Sequence, residues 1–344
     1  MIRFNNDYNR GAHPAILEAL AETNTISYGG YGQDEWCERA AEAIRRELGG
    51  ADAEIHFLVG GTQVNYTVIA AALRPYESVV CADTAHIQVH ETGAVENSGH
   101  KIETVPNVDG KLTAAAVRGI AEAYRVSTIP EHITEPKFVF LSMPSEYGTI
   151  YRLDELRALR TVCDEYGLYL YVDGARMAYG LGAADCDVTL ADLAALCDAF
   201  TIGGTKCGAL FGEALVLRNV ALRRHFRSYM KQNGALLAKG WLLGLQFATL
   251  FENGRYFELG RRADALAMRL KAACKKKGLP LYMPNSTNQQ FVVLTDAQKA
   301  ALARDFIFEE EGALPDGRSI VRFCTSWANT DEEVDALCRA IAAL

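Results

Sequence analysis

Three short segments of this chain carry side chains whose types and spacing suit chemistry. Phe57-Leu58-Val59-Gly60-Gly61-Thr62-Gln63-Val64-Asn65 reads as a strand, a glycine turn and a helix start. Free N–H groups at such a start, together with the positive end of the helix dipole, make an anion cradle. The segment has neither the lysine of a P-loop nor the third glycine of G-x-G-x-x-G. Val172-Asp173-Gly174-Ala175-Arg176 puts a carboxylate at the end of an apolar strand, where open parallel sheets bind their ligands. Thr201-Ile202-Gly203-Gly204-Thr205-Lys206-Cys207-Gly208 sets a lysine in an apolar, glycine-flanked run. Burying an ammonium there is costly unless it is used, and an amine of lowered pKa forms a Schiff base with an aldehyde. Read singly, each segment also has a plainer explanation: a βα turn, a helix-capping aspartate, a lysine snorkelling to the surface.

Together the three are more specific. A phosphate turn, a strand-end carboxylate and an imine-forming lysine are what pyridoxal phosphate requires, the carboxylate keeping the pyridine nitrogen protonated. His86, in Ala82-Asp83-Thr84-Ala85-His86-Ile87-Gln88-Val89-His90-Glu91, follows a strand and offers an imidazole to stack on the coenzyme ring. The His86/His90 spacing also fits two metal ligands on a helix, but no H-E-x-x-H pattern accompanies it, and no metal is expected. Arg322 is a cation inside the apolar strand Val321-Arg322-Phe323-Cys324-Thr325. Its guanidinium suits two-point binding of a substrate carboxylate, or, more plainly, an edge strand facing water.

These residues need a scaffold, and the apolar pattern supplies one. Candidate strands are Ile55–Val59, Ser78–Ala82, Lys101–Val105, Lys137–Ser142, Leu168–Val172, Ala199–Ile202 and Ala214–Arg218. Candidate helices between them are Asp34–Leu48, Val64–Arg74, Thr113–Tyr124, Leu153–Tyr166 and Leu190–Cys197. Runs such as Leu168-Tyr169-Leu170-Tyr171-Val172 are apolar on both faces, as strands covered by helices on each side must be. The expectation is an α/β fold with a mostly parallel sheet in a large domain over residues 1–235. Residues 236–344 are expected to form a small α+β domain with a helix over Arg255–Lys277, strands at Gln290–Leu294 and Ile320–Thr325, and a final helix opened by the Thr330-Asp331-Glu332-Glu333 capping box.

With 344 residues, 49% hydrophobic and 23% charged, the chain can bury a sizeable core. Lys plus Arg number 35 against 43 Asp plus Glu, a net charge of −8 that repels phosphate backbones, so no nucleic-acid partner is expected. Nine cysteines without a C-x-x-C pair do not make a disulfide framework. The first residues lack a signal-peptide pattern, and no apolar run is long enough to span a membrane. A cytoplasmic protein with no membrane partner is therefore expected.

On Gly61-Thr62 with Asn65, Ala85-His86, Asp173-Gly174-Ala175-Arg176 and the Lys206 segment, the chain resembles the threonine aldolase group within the β-eliminating lyase family of fold-type-I pyridoxal phosphate enzymes. The likeness runs from Phe4-Asn5-Asn6-Asp7 to Arg322-Phe323-Cys324-Thr325. It implies an aspartate aminotransferase-like large domain, with the segment 1–30 packing on the small domain or a neighbouring subunit. It also implies Lys206, flanked by Thr205, as the imine lysine, Asp173 on the pyridine nitrogen and Arg176 near the ring oxygen. His86 would stack on the ring, Gly61 and Thr62 would hold phosphate, and Arg322 would bind the substrate carboxylate. Active sites would be shared across a homodimer, usually within a homotetramer, with Lys231 lent to a neighbour's phosphate. Three places depart from the family pattern. Asn6 stands for a serine near the substrate carboxylate, Glu146 stands where a histidine is expected, and Thr325-Ser326 replaces Thr-His.

The expected activity is cleavage of the Cα–Cβ bond of a β-hydroxy-α-amino acid, L-threonine or L-allo-threonine, to glycine and an aldehyde. His86, Glu146 or a bound water would take the β-hydroxyl proton. A β-elimination or an aminotransfer on the same coenzyme is the nearest rival. A non-catalytic protein that keeps the fold, and a metal hydrolase using the histidines, are remoter ones.

Overall fold

The computed structural model describes residues 1–344. Its strands are β1 (Ile2–Arg3), β2 (Glu54–Leu58), β3 (Glu77–Ala82), β4 (Lys101–Val105), β5 (Glu135–Ser142), β6 (Tyr169–Asp173), β7 (Ala199–Gly203), β8 (Glu213–Leu217), β9 (Leu281–Met283), β10 (Gln289–Leu294), β11 (Phe306–Ile307), β12 (Glu309–Ala313) and β13 (Ser319–Cys324). Seven of them form one sheet in the order β2-β8-β7-β6-β5-β3-β4. β8 is antiparallel to both its neighbours and the remaining pairings are parallel, so β8 alone runs against the others.

Side chains alternate between two buried faces. Val80, Val139, Leu141, Leu170, Val172 and Phe200 join one hydrophobic core, whereas Val79, Phe138, Phe140, Tyr171 and Leu215 join another on the opposite side. That is why these strands read as continuous apolar runs. The helices follow their terminal signals. Asp34 accepts from Cys37 N to start Glu35–Glu47, whose first turn is acidic and last turn basic. Leu153–Tyr166 stops at Gly167, which takes the left-handed conformation at φ 66°. The helix expected over Val64–Arg74 instead spans Gly61–Ala72, because the glycine turn is itself the first helical turn and Leu73 is already extended.

A second, antiparallel sheet has the order β12-β13-β10-β9. Val292, Leu294, Val321 and Phe323 from it pack with Leu266, Leu270, Val334, Leu337 and Ile341 in a separate core. Thr330 and Glu333 cap the final helix Asp331–Ala343 reciprocally. Phe4 is buried in this core and β1 pairs with β11, so the N-terminal strand belongs to the small layer. Leu243, Leu245, Phe247, Leu250 and Tyr256 pack in the large core. We therefore place the domain change within helix Arg255–Lys277 rather than at residue 235, since apolar burial continues past that point. No helix is long and apolar enough to cross a membrane, and all nine cysteines are free.

One buried carboxyl lies in the seam between the two layers. Asp264, 3% exposed, projects from helix Arg255–Lys277, and neither carboxyl oxygen has a hydrogen-bond partner. A Cβ added to Gly182, on helix Met177–Gly182, would lie 2.7 Å from its Oδ2. Burial pushes the Asp264 carboxyl up to about 9. The folded protein thus holds a proton here that the unfolded chain releases near pH 4, and stability falls as pH rises from there through about 9. Asp264→Asn, neutral at every pH, is expected to lose less stability between pH 5 and pH 8 than the parent, by about 2 kcal/mol or more. Thermal unfolding of both proteins across that range checks this; parallel curves would show that Asp264 is ionised in the fold.

Candidate active site

The carboxyl ends of β2, β5, β6 and β7 and the start of the reversed β8 converge on one cavity of about 240 Å³. Gly60, Gly61, Thr62, His86, Glu146, Asp173, Arg176, Thr205, Lys206 and Glu213 all line it. It adjoins a wider cleft of about 540 Å³, where His86, His90, Glu146, Tyr147, Arg176 and Lys206 of the large domain meet Tyr8 from the N-terminal segment and Glu311 and Arg322 from the small domain. Another cleft of about 550 Å³, against Tyr31, Asp34 and Arg227, contains none of these groups.

Lys206 follows β7 through the tight passage Gly203-Gly204. A Cβ on Gly203 would lie 2.3 Å from Ala175 O, and one on Gly174 would lie 2.1 Å from Thr201 O. The two strand ends therefore touch backbone to backbone, which brings Asp173 and Lys206 into one wall. Lys206 is enclosed on every side but the cavity. Burial, with Arg176 second, holds its amine below the ordinary lysine value, partly offset by Asp7, Asp173 and Glu213. Both arginines of the site are paired, Arg176 with Asp7 and Arg322 with Glu311, whereas Lys206 has no ion-pair partner.

Asp173 is 6% exposed and paired in register with Ser142 of β5. Its Oδ1 accepts from Ala175 N at 2.9 Å and its Oδ2 from Asn65 Nδ2 at 2.9 Å. The same Asn65 amide nitrogen donates to Glu91 Oε1 at 2.8 Å, and Tyr171 OH donates to Asn65 Oδ1 at 2.9 Å. Glu91 in turn meets His86 Nδ1 at 2.8 Å. A buried chain of hydrogen bonds thus runs from His86 through Glu91 and Asn65 to Asp173, tying the imidazole to the strand-end carboxylate.

Glu146 lies on the loop after β5. Its Oε1 accepts from Ser142 Oγ at 2.6 Å and from His86 N at 2.8 Å. Burial raises its carboxyl above the usual range despite those bonds. Glu213 is placed here because β8 runs backward, pairing it with Gly203 and Leu58 at the ligand edge of the sheet. Burial pushes it up to about 8 against the opposing pull of Lys206, and its Oε2 has no partner.

Arg176 donates from Nε to Asp7 Oδ2 at 2.7 Å and from Nη2 to Asp7 Oδ1 at 3.1 Å, and Asn288 adds a bond to Asp7 at 2.9 Å. Burial would raise the Asp7 carboxyl, but Arg176 and Lys206 outweigh it and leave it below the ordinary range. Asn6, the expected substrate contact, does not line either cavity; its Oδ1 accepts from Tyr8 N, and Asp7 and Tyr8 are the N-terminal residues that reach the site. Lys231 also stands outside, with Nζ 4.7 Å above the Tyr31 ring.

The residues present fit pyridoxal phosphate on their own geometry. The helix Gly61–Ala72 begins without any side-chain cap, and a Cβ on Gly60 or Gly61 would meet nothing within 4 Å, so its first N–H groups open onto space suited to a phosphate. Asp173 and Lys206 supply the carboxylate and the amine. Sequence reasoning missed Asp7, Glu91, Glu213 and Glu311. Glu91, five residues after His86, is the one a local spacing could have flagged; the others reach the site only through long-range packing.

A family model described as beta-eliminating lyase matches residues 9–297. The low specificity L-threonine aldolase of Pseudomonas aeruginosa is 32% identical over 98% of this chain and 96% of its own length. The enzyme of that name from Saccharomyces cerevisiae is 29% identical over 82% of this chain and 71% of its own. Among solved structures, a threonine aldolase of Leishmania major superposes with a TM-score of 0.97 at 43% identity, covering 100% of this chain and 99% of that one. Thermus thermophilus aspartate aminotransferase, at 16% identity and a TM-score of 0.73, shares the fold.

Proposed function

The chain belongs to the β-eliminating lyase family, and on that footing we propose that it is a pyridoxal-phosphate-dependent aldehyde-lyase cleaving L-threonine or L-allo-threonine to glycine and acetaldehyde. The observation that carries this reading is the convergence of Lys206, Asp173 and the uncapped helix start at Gly61 on one cavity. The full-length similarity to named threonine aldolases supports it.

Pyridoxal phosphate, when bound, supplies an electron sink for the pair released at Cα. The chain's own residues do the rest. Lys206, without an ion-pair partner and held by burial below the ordinary lysine value, would be the amine that holds the coenzyme's aldehyde carbon. Asp173, its two oxygens accepting from Asn65 Nδ2 and Ala175 N, would hold the proton of the pyridine nitrogen. With Glu91 accepting from Nδ1, the His86 ring is held in an orientation in which it would cover the coenzyme face. Glu146 takes the β-hydroxyl proton, because a carboxyl raised by burial is a better base at neutral pH than an exposed one. Gly61, Thr62 and Thr205 would hold the phosphate end.

The cations lining the inner cavity, Lys206 and Arg176, are committed, the first to imine formation and the second to Asp7. A phosphate dianion there needs a further positive charge. Lys231 of a neighbouring copy meets that need, which makes the working unit a homo-oligomer, a dimer or a tetramer of cytoplasmic protein.

Product analysis is the decisive test. Incubation with L-threonine should yield glycine and acetaldehyde in equal amounts; a 2-oxo acid with ammonia, or with a transferred amine, would overturn the reading in favour of elimination or aminotransfer. Arg322, rather than Arg176 with its two-point pair to Asp7, is assigned to the substrate carboxylate. Arg322→Lys keeps the charge but loses the planar fork. It should raise KM sharply, lowering kcat/KM by about 2 kcal/mol, with coenzyme occupancy intact. Normal kinetics in that variant would move the carboxylate site elsewhere.

A further inference from the structure

The cavity holds two arginine–carboxylate pairs built in opposite ways. Arg176 and Asp7 make a two-point contact, with the Asp7 side chain fully buried and a third donor from Asn288. That is a permanent structural pair. Arg322 meets Glu311 as an ion pair, Nη1 to Oε1 at 2.9 Å, with the two side chains 19% and 27% exposed. Its Nη2 donates to Asn5 O at 3.2 Å, and its Nε is buried without any acceptor. A guanidinium with an unsatisfied buried N–H is not in its best arrangement.

The position of Glu311 is a product of local backbone geometry. β12 pairs with β13 through Glu309↔Arg322 and Glu310↔Val321, then skips to Gly312↔Ile320. Glu311 is the extra residue of that bulge, and bulges of this kind re-aim a side chain. All three consecutive glutamates are exposed residues; Glu310 is engaged by Lys299 and Ser319, and the Glu311 side chain is 27% exposed. Only Glu311 lines the cleft, beside Arg322, His90 and Tyr8.

We propose that Glu311 is a displaceable latch on Arg322, a carboxylate inside the chain that the substrate's carboxylate must displace in order to bind. The proposal rests on the assignment of Arg322 to the substrate carboxylate. While the cleft is empty, Glu311 balances a cation that would otherwise face Lys206 and Arg176. When an amino acid enters, one carboxylate replaces another on the same guanidinium, so the net gain is smaller than an unpaired arginine would give. Glu311 thereby sets the affinity for amino acids without touching the reacting atoms.

The test is the dissociation constant of glycine, measured by calorimetry on the coenzyme-loaded protein, together with KM and kcat for L-threonine. Glu311→Gln keeps the side-chain length and removes the competing charge. It is expected to tighten glycine binding and lower KM about 3- to 10-fold, with kcat within about 2-fold. Glu310→Gln makes the same change in net charge one residue away, at the position paired with Val321 rather than Arg322, and should leave glycine affinity unchanged; equal tightening there would reduce the effect to a general field and overturn the latch. Weaker or unaltered glycine binding in Glu311→Gln, while Arg322→Lys weakens it, would also overturn the latch and leave the Arg322 assignment standing. Glycine affinity indifferent to Arg322→Lys would remove that assignment, and the latch with it.

Discussion

Lys206→Ala will remove nearly all turnover, on the order of 10³-fold or more, while leaving the protein folded. The amine has no ion-pair partner, and burial beside Arg176 disfavours its charged form more than Asp7, Asp173 and Glu213 favour it. Replacing it deletes a buried amine that no ion pair holds and should hold or raise the melting temperature. What is lost is the nucleophile, since no other lysine lines either cavity. Purified parent protein loaded with coenzyme should be yellow, lose that band on borohydride treatment and carry the label on Lys206. A label on another lysine, or a coloured Lys206→Ala protein with normal turnover, would sink the assignment.

Asp173→Asn should cost about 10²-fold or more in kcat, with coenzyme still bound. An amide cannot keep a pyridine nitrogen protonated as a carboxylate does, so the loss falls on the chemical step rather than on affinity. A second consequence follows from the hydrogen bonds. Both oxygens of Asp173 accept, one from Ala175 N and one from Asn65 Nδ2. An asparagine must turn its own NH₂ toward one of these donors, so one bond is lost, and about 1 kcal/mol of stability should go with it. Steady-state kinetics, coenzyme titration and thermal unfolding of the variant separate the two effects. Unchanged turnover with lowered stability would make Asp173 a structural residue only.

The features legible in the chain were those that local pattern controls. Strands covered on both faces are written as unbroken apolar runs, and Leu153–Tyr166, Arg255–Lys277 and Lys101–Val105 have the bounds their capping and periodicity signals predict. Gly203-Gly204-Thr205-Lys206 and Val172-Asp173-Gly174 stand out because a charge beside glycine at the end of an apolar run has few uses. Arg322 is visible for the same reason.

The partners of those residues were not legible, because a lone acid in a sequence reads as a solvated surface group. Asp7 meets Arg176 across 169 positions, and Asn65 meets Asp173 across 108. Neither pairing has a local signature; each exists because the sheet order lays the segments side by side. Glu213 enters the site only because β8 runs against its neighbours, and Glu311 only because one extra residue in β12 turns it inward. Residue types and local periodicity specify which groups could carry the chemistry and which layers would hold them. The tertiary structure alone decided which charges neutralise one another, since strand direction and register fix contacts that no short-range periodicity encodes.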